Sequence, residues 1–203
     1  MKNKIFFITA IGTNVGKTLI SAMLVENLKA EYWKPIQAGN LDKSDSTFIR
    51  EHTNCIKIHP ERFILTAPMS PHAAAKIDNV KINLIDFKIP NINSSLIVEG
   101  AGGLMVPLNN NDLVLDLIKH LNLEVIIISQ NYLGSINHTL LTIEVLKKND
   151  IQINGIIFNG NSNIESERII EHKTRIQVIG KIPKLDKISK KNIIKYSKKI
   201  QII

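Results

Sequence analysis

Residues 4–18 read KIFFITAIGTNVGKT: a short apolar run, a glycine-bearing turn, then Gly16-Lys17-Thr18 opening a segment with helical spacing. A buried strand that passes through a loop into a helix start needs a sheet beside it and a helix layer above it. The same junction binds anions. Unpaired N–H groups at the helix start point at a phosphate, Lys17 adds positive charge, and the Thr18 hydroxyl suits Mg²⁺. In the common phosphate loop, four residues separate a first glycine from Gly-Lys-Ser/Thr. That glycine would fall at Ile11, whereas Ala10 stands one residue too early and Gly12 one too late. A left-handed backbone at Ala10 would cost roughly 1–2 kcal/mol. Ala10 is therefore expected in ordinary geometry, with the flexibility at Gly12 and Gly16: a variant loop with its own spacing.

The rest of the chain repeats the alternation. Helical spacing runs from Thr18 to Ala30 through Leu19, Ala22, Met23, Leu24 and Leu28, and "EYWKPI" is extended up to Pro35. A helix is expected over 45–52, then an irregular stretch carrying Pro60, Pro68 and Pro71. Further apolar runs are "SLIVEG", "EVIIIS", "GIIFNG" and "IQVIGKIP", with helical segments over 113–121 and 136–149. Continuous apolar strands between amphipathic helices mean a mostly parallel sheet covered on both faces. With the phosphate loop, this is an α/β fold of P-loop NTPase type, expected as one domain over residues 1–203, with no repeat and no linker.

Composition excludes several alternatives. No apolar run approaches the roughly 20 residues that span a bilayer, and the start, MKNKIFFIT, is too short for a leader. Cys55 is the only cysteine, so no internal disulfide forms, and a reducing cytoplasm and an idle thiol are expected. The net charge of +8 suggests nucleic acid until it is located. From Lys181 onward eight lysines face Asp186 alone, so that tail holds +7 of the total. With Ile188, Ile193, Ile194 and Ile200 among the lysines, a terminal helix with a solvated basic face accounts for it, and no nucleic-acid partner is expected.

Ligands in such folds sit at the carboxyl ends of the strands. Those ends carry the loop 10–17, Lys34, Glu99-Gly100-Ala101-Gly102-Gly103, Gly134-Ser135 and Asn159. Glu99 at the end of a buried strand is placed to hold a metal opposite Thr18, the alternative being an acid before a turn. Asp45 in "DKSDST" is either a second Mg²⁺ ligand or a helix N-cap. Lys34 beside a phosphate site suits charge developing on a transferred phosphoryl group. Ser70-Pro71-His72 reads as a helix start or packing element.

Taken together, "TNVGKT", "YWKPIQAG", "SPHAA", "VEGAGGLMVPL" and "LGSINHTLLT" resemble the dethiobiotin synthetase family, in order and over nearly the whole chain. The long loop spacing is that family's own, commonly with glycine where this chain has Ala10. The resemblance implies an ATP- and Mg²⁺-dependent cyclo-ligase of biotin synthesis. It would carboxylate 7,8-diaminononanoate with CO₂, phosphorylate the carbamate and close the cyclic urea, releasing ADP and phosphate. It implies Lys34 as the charge-stabilising active-site lysine, Lys17 as the phosphate lysine, and Thr13 facing carbamate and γ-phosphate. Thr18, Asp45 and Glu99 match the metal positions. Asn14, Val15, Gly16, Lys17, Thr18 and Leu19 would line the nucleotide together with Glu99, Gly100, Ala101 and Gly102. Asn159-Gly160 and Pro183-Lys184-Leu185 would flank the adenine, unless they are ordinary strand-end turns. Ala38 stands where members often carry a hydroxyl, and Asn14 replaces a frequent glutamate. The connection before Lys34 is shortened. The resemblance also implies a homodimer in which Gly134, Ser135 and Asn137, at a helix start, receive the neighbour's substrate carboxylate. The alternative there is a helix cap serving its own backbone. Related switch ATPases that position the septum or partition chromosomes usually have a lysine early in the loop, where Ala10, Ile11 and Gly12 stand. An amidase-ligase would need a further cysteine-bearing domain.

Overall fold

The structure, a computed structural model, describes residues 3–202; Met1 and Lys2 of the leader-like start, and Ile203, lie outside the described residues. From β1 (Ile5–Ala10) the chain passes through α1 (Lys17–Leu28) to β2 (Glu31–Trp33), then β3 (Ile36–Ala38), α2 (Asp45–His52), β4 (Ile58–His59), β5 (Phe63–Leu65) and α3 (Pro71–Ile77). It continues through β6 (Leu96–Glu99), α4 (Val114–Leu121), β7 (Glu124–Ser129), α5 (Ser135–Lys148), β8 (Ile153–Asn159), α6 (Ile164–Thr174), β9 (Val178–Ile182) and α7 (Lys190–Ser197). Seven strands form one parallel sheet in the order β4-β2-β6-β1-β7-β8-β9. β3 and β5 make a separate parallel pair.

Strand alternation divides the core. Phe6, Ile8, Tyr32, Ile97 and Ile126 face α1, α2 and α7, where Ile20, Met23, Ile49 and Ile193 meet them. Phe7, Val98, Ile127 and Phe158 face the layer of α3 to α6, meeting Ala74, Ile118, Ile143 and Ile170. Helices therefore cover both faces, as the apolar runs require. The lysine-rich tail is indeed a terminal helix: Ser189 caps α7, Ile193 and Ile200 are buried, and its lysines lie in solvent.

Two helices carry little apolar periodicity. Ile170 is the one apolar side chain that α6 buries, and the helix starts on an Asn163 cap with Glu165 and Glu167 in the first turn. α3 begins Ser70-Pro71, with proline at a position where its missing N–H costs nothing. His72 thus belongs to a helix start, but its side chain is exposed and does not pack.

Sheet order positions the site. After β1 the chain moves out to β2 and β4, returns to β6 beside β1, then crosses to β7 on the other side. The carboxyl ends of β1 and β6 lie together where the direction reverses, the usual ligand crevice of such sheets. Gly100 makes the turn there. A Cβ at this position would meet the Phe7 ring at 2.7 Å and the Ile8 carbonyl oxygen at 3.2 Å. Gly100→Ala should therefore cost about 1–3 kcal/mol, seen in calorimetry as a midpoint lower by roughly 2–4 °C per kcal/mol. An unchanged midpoint would show that the ring moves aside freely.

Candidate active site

The loop after β1 starts from a fully buried Ala10 still paired in the sheet, so Ala10 has strand geometry as expected. The left-handed residues are Asn14 (φ 61°) and Gly16 (φ 90°). Gly12, expected to supply flexibility, has no positive φ; asparagine takes that task because its short side chain tolerates the conformation. Gly16 caps α1, and no side chain makes a capping hydrogen bond there. Asn159 at the end of β8 crowds the space a Gly16 side chain would need and donates from Nδ2 to the Val15 carbonyl at 2.9 Å. The Val15 side chain is core.

Behind the loop lies a buried charge cluster. Lys34, immediately after β2, places Nζ 2.6 Å from Asp45 Oδ2, 3.3 Å from Glu99 Oε1 and 3.0 Å from the Gly100 carbonyl. Burial opposes its charge, yet Glu99 and Asp45 outweigh burial and raise its pKa. Burial would likewise raise the Asp45 carboxyl, but Lys34 outweighs it, with help from Thr18, and the net shift is downward. Lys17 differs. Among the described residues its Nζ donates only to the Gly12 carbonyl, at 3.1 Å; burial lowers its pKa to about 8, Glu99 partly opposing and Lys34 adding to the fall.

Asp45 is not an N-cap. That place belongs to Ser44, whose side chain accepts from the Thr47 N–H, while Asp45 is the first helical residue. Its N–H donates to Gln37 Oε1 at 3.2 Å, and Gln37 Nε2 reaches the Gly39 carbonyl at 2.9 Å. Gln37, unnoticed in "KPIQAG", thus anchors the start of α2.

Asp45 Oδ1 and Glu99 Oε1 both approach the Thr18 hydroxyl, at 2.7 and 2.9 Å. One hydroxyl carries one proton, so it satisfies one of them and the other needs positive charge nearby. Among the described residues no three His, Cys, Asp or Glu side chains gather as a metal cluster. Two carboxylates and a hydroxyl form an all-oxygen set suited to a hard cation that keeps several waters, which fits Mg²⁺.

Thr13, Lys17, Thr18, Lys34, Asp45 and Glu99 line one cleft of about 710 Å³, along with Asn14, Gly16, Ala38, Ala101 and Gly102. Gly100 lies beneath it and contributes its carbonyl to Lys34. Leu19, Asn159, Gly160, Lys184 and Leu185 line a second cleft of about 250 Å³. Pro183 lines a third beside it, sharing Gly160 and Lys184. Gly134, Ser135 and Asn137 line none of these. Ser135 is buried, its N–H donates to the Tyr132 carbonyl at 2.9 Å, and its hydroxyl accepts from the Tyr132 N–H at 3.3 Å. Ser135 closes its own turn, which leaves Gly134 and Asn137 exposed at the helix start. Cys55 lies outside every cleft described here, and burial pushes its thiol up, as suits an idle cysteine.

The AAA domain family matches residues 4–192. An ATP-dependent dethiobiotin synthetase from Cytophaga hutchinsonii is 49% identical over 200 residues, covering 97% of each chain. The chain belongs to the dethiobiotin synthetase family. A second member, from Christiangramia forsetii, is 48% identical over 181 residues, 88% of this chain and 87% of its own. In fold alone, the chain resembles the septum site-determining protein MinD of Pyrococcus horikoshii complexed with Mg-ADP. The TM-score is 0.58 at 14% identity, over 97% of this chain and 95% of that one. Among the described residues of this dethiobiotin synthetase family member, no helix is long and apolar enough to cross a membrane.

Lys17 gives the site a signed pH dependence. Its pKa falls from 10.5 to about 8. Between those values the native state binds fewer protons than the unfolded chain, so this group alone makes stability rise with pH there. A polyphosphate bound in the cleft would restore the charge. ADP binding at pH 8 should take up about half a proton, and affinity should fall as pH rises through 8. Calorimetry in buffers of different ionisation heat measures the uptake; its persistence in Lys17→Met would assign it to another group.

Proposed function

We propose that this chain makes dethiobiotin from 7,8-diaminononanoate, CO₂ and ATP, with Mg²⁺, residues 1–203 acting as one catalytic unit in the cytoplasm. One observation carries the reading: Lys17, Lys34, Thr18, Asp45 and Glu99 converge on a single cleft in a chain nearly half identical, end to end, to an ATP-dependent dethiobiotin synthetase.

One amine of the diamine adds to CO₂ and loses a proton, giving a carbamate. A carbamate oxygen attacks the γ-phosphorus of ATP, ADP leaves, and a carbamic–phosphoric anhydride remains. The second amine attacks its carbonyl carbon, the C–O bond to phosphate breaks, and the cyclic urea closes with release of phosphate and a proton. Thr18, Asp45 and Glu99 would hold Mg²⁺, which supplies positive charge to the phosphates when bound. Lys17 meets the phosphates as soon as they bind. Lys34 reaches into the same cleft as Thr13, where it favours charge developing on the carbamate and transferred phosphoryl oxygens. Asn159, Gly160 and the 183–185 segment border the smaller clefts, which suit the adenine.

The purified protein with ATP, Mg²⁺, bicarbonate and the diamine should yield dethiobiotin and ADP in equal amounts. ATP hydrolysis independent of the diamine, without cyclic urea, would sink the assignment. Lys17→Ala should weaken ATP binding and turnover together, whereas Lys34→Ala should lose turnover far more than ATP affinity. Equal loss of affinity in both would contradict the two roles.

The working unit in this reading is a homodimer. Leu133, Met105 and Leu141 are exposed apolar residues, and Thr13 lies between the main cleft and one of about 380 Å³ lined by Gly12, Met105, Val106, Leu141 and Val145. That lining suits the methylene chain of the substrate, and a neighbour's Gly134 and Asn137 would take its carboxylate. Sedimentation should show a dimer. Asn137→Asp should raise the diamine KM roughly tenfold or more by like-charge repulsion, sparing ATP. A fully active monomer would exclude the shared site.

A further inference from the structure

Tyr32 is fully buried on β2, next to the edge strand β4, and its hydroxyl donates to Glu99 Oε2 at 2.9 Å. The pairing follows from register. Tyr32 lies opposite Ile97 in the β2–β6 ladder, and Glu99 follows Ile97 by two residues on the same face. Lys34 shares that face with Tyr32 by the same two-residue step. The two oxygens of Glu99 therefore have separate surroundings. Oε1 meets the Thr18 hydroxyl and the Lys34 ammonium at the cleft, while Oε2 points into the core and meets the phenol.

We propose that Tyr32 is a positioning residue for Glu99: its phenol locks the inner carboxylate oxygen so that Oε1 is presented to the cation held with Thr18 and Asp45. This rests on the Mg²⁺ reading given above. A carboxylate oxygen buried without a donor is costly, so without the phenol the group would turn toward another donor and carry Oε1 off its line. The donor is also neutral. Lys34 satisfies Glu99 by cancelling charge, whereas a phenol fixes its rotation and leaves the negative charge for the metal. Tyr32 does not line the cleft, so it acts only through Glu99.

The test titrates Mg²⁺ calorimetrically into protein holding stoichiometric ADP, for the native chain, Tyr32→Phe, Glu99→Gln and the double variant. Tyr32→Phe keeps the ring and should weaken Mg²⁺ about 10–100-fold, the usual cost of removing a partner behind a ligand. ADP affinity without Mg²⁺ should be unchanged. In the Glu99→Gln background the same change should have no further effect on Mg²⁺, because the residue through which it acts is gone. Unaltered Mg²⁺ affinity in Tyr32→Phe, or equal weakening in both backgrounds, overturns the inference. If the native chain shows no ADP-linked Mg²⁺ binding, the metal reading fails first and the inference with it. Where Tyr32→Phe does not fold, 3-fluorotyrosine at position 32 keeps shape and donor but alters donor strength. It should shift Mg²⁺ affinity at an unchanged thermal midpoint, and no shift overturns the inference.

Discussion

Glu99 is a carboxylate 1% exposed at the end of a strand with no exposed residue, and the site is arranged around the cost of keeping it there. Removing a carboxylate from water costs several kcal/mol even in a relaxed protein interior. Two elements offset that cost from different directions, β2 and the residue after it through Tyr32 and Lys34, and α1 through Thr18, while Asp45 on α2 competes for the same ammonium and hydroxyl. Removing either one leaves a buried charge or an orphaned oxygen. The cluster therefore ties sheet and helices together at the point where chemistry is required.

The two lysines show how placement separates roles that composition leaves equal. Both are buried in one cleft, yet their pKa values move in opposite directions. Lys34 touches two carboxylates and is held charged. Lys17 touches one carbonyl, sits near Lys34, and is left at about 8. Lys17 is thus short of negative charge, as the proposed phosphate-binding role requires. Lys34 already has partners, so its contribution depends on what else enters to satisfy them.

Residues with periodic or chemically extreme environments were legible in the sequence. The apolar strands located the sheet, Gly16-Lys17-Thr18 located the loop, and strand-end position singled out Lys34 and Glu99. What stayed hidden carries no periodic signal or depends on non-local pairing. The β3–β5 pair is three residues a side with nothing periodic to mark it. α6 is held by its cap and first-turn acids, with one buried apolar residue. Whether Asp45 capped α2 or faced the metal position turned on Ser44 standing one residue earlier, a difference that spacing does not resolve. Nothing in "EYWKPI" marks Tyr32, and only the register of β2 against β6 brings it to Glu99.

The departures from the family's usual residues acquire physical meaning from the same geometry. Asn14 sits at φ 61°, a conformation that asparagine tolerates better than the glutamate it replaces, so the substitution favours the loop's backbone. Ala38 lines the main cleft at the end of β3 and removes a hydroxyl from its wall. The strand's other function survives, because Gln37, not residue 38, reaches across to the first N–H of α2. Asp45 is therefore held independently of whatever residue 38 offers a substrate. Residue 38 on the wall of the cleft can thus change without moving the carboxylate behind it.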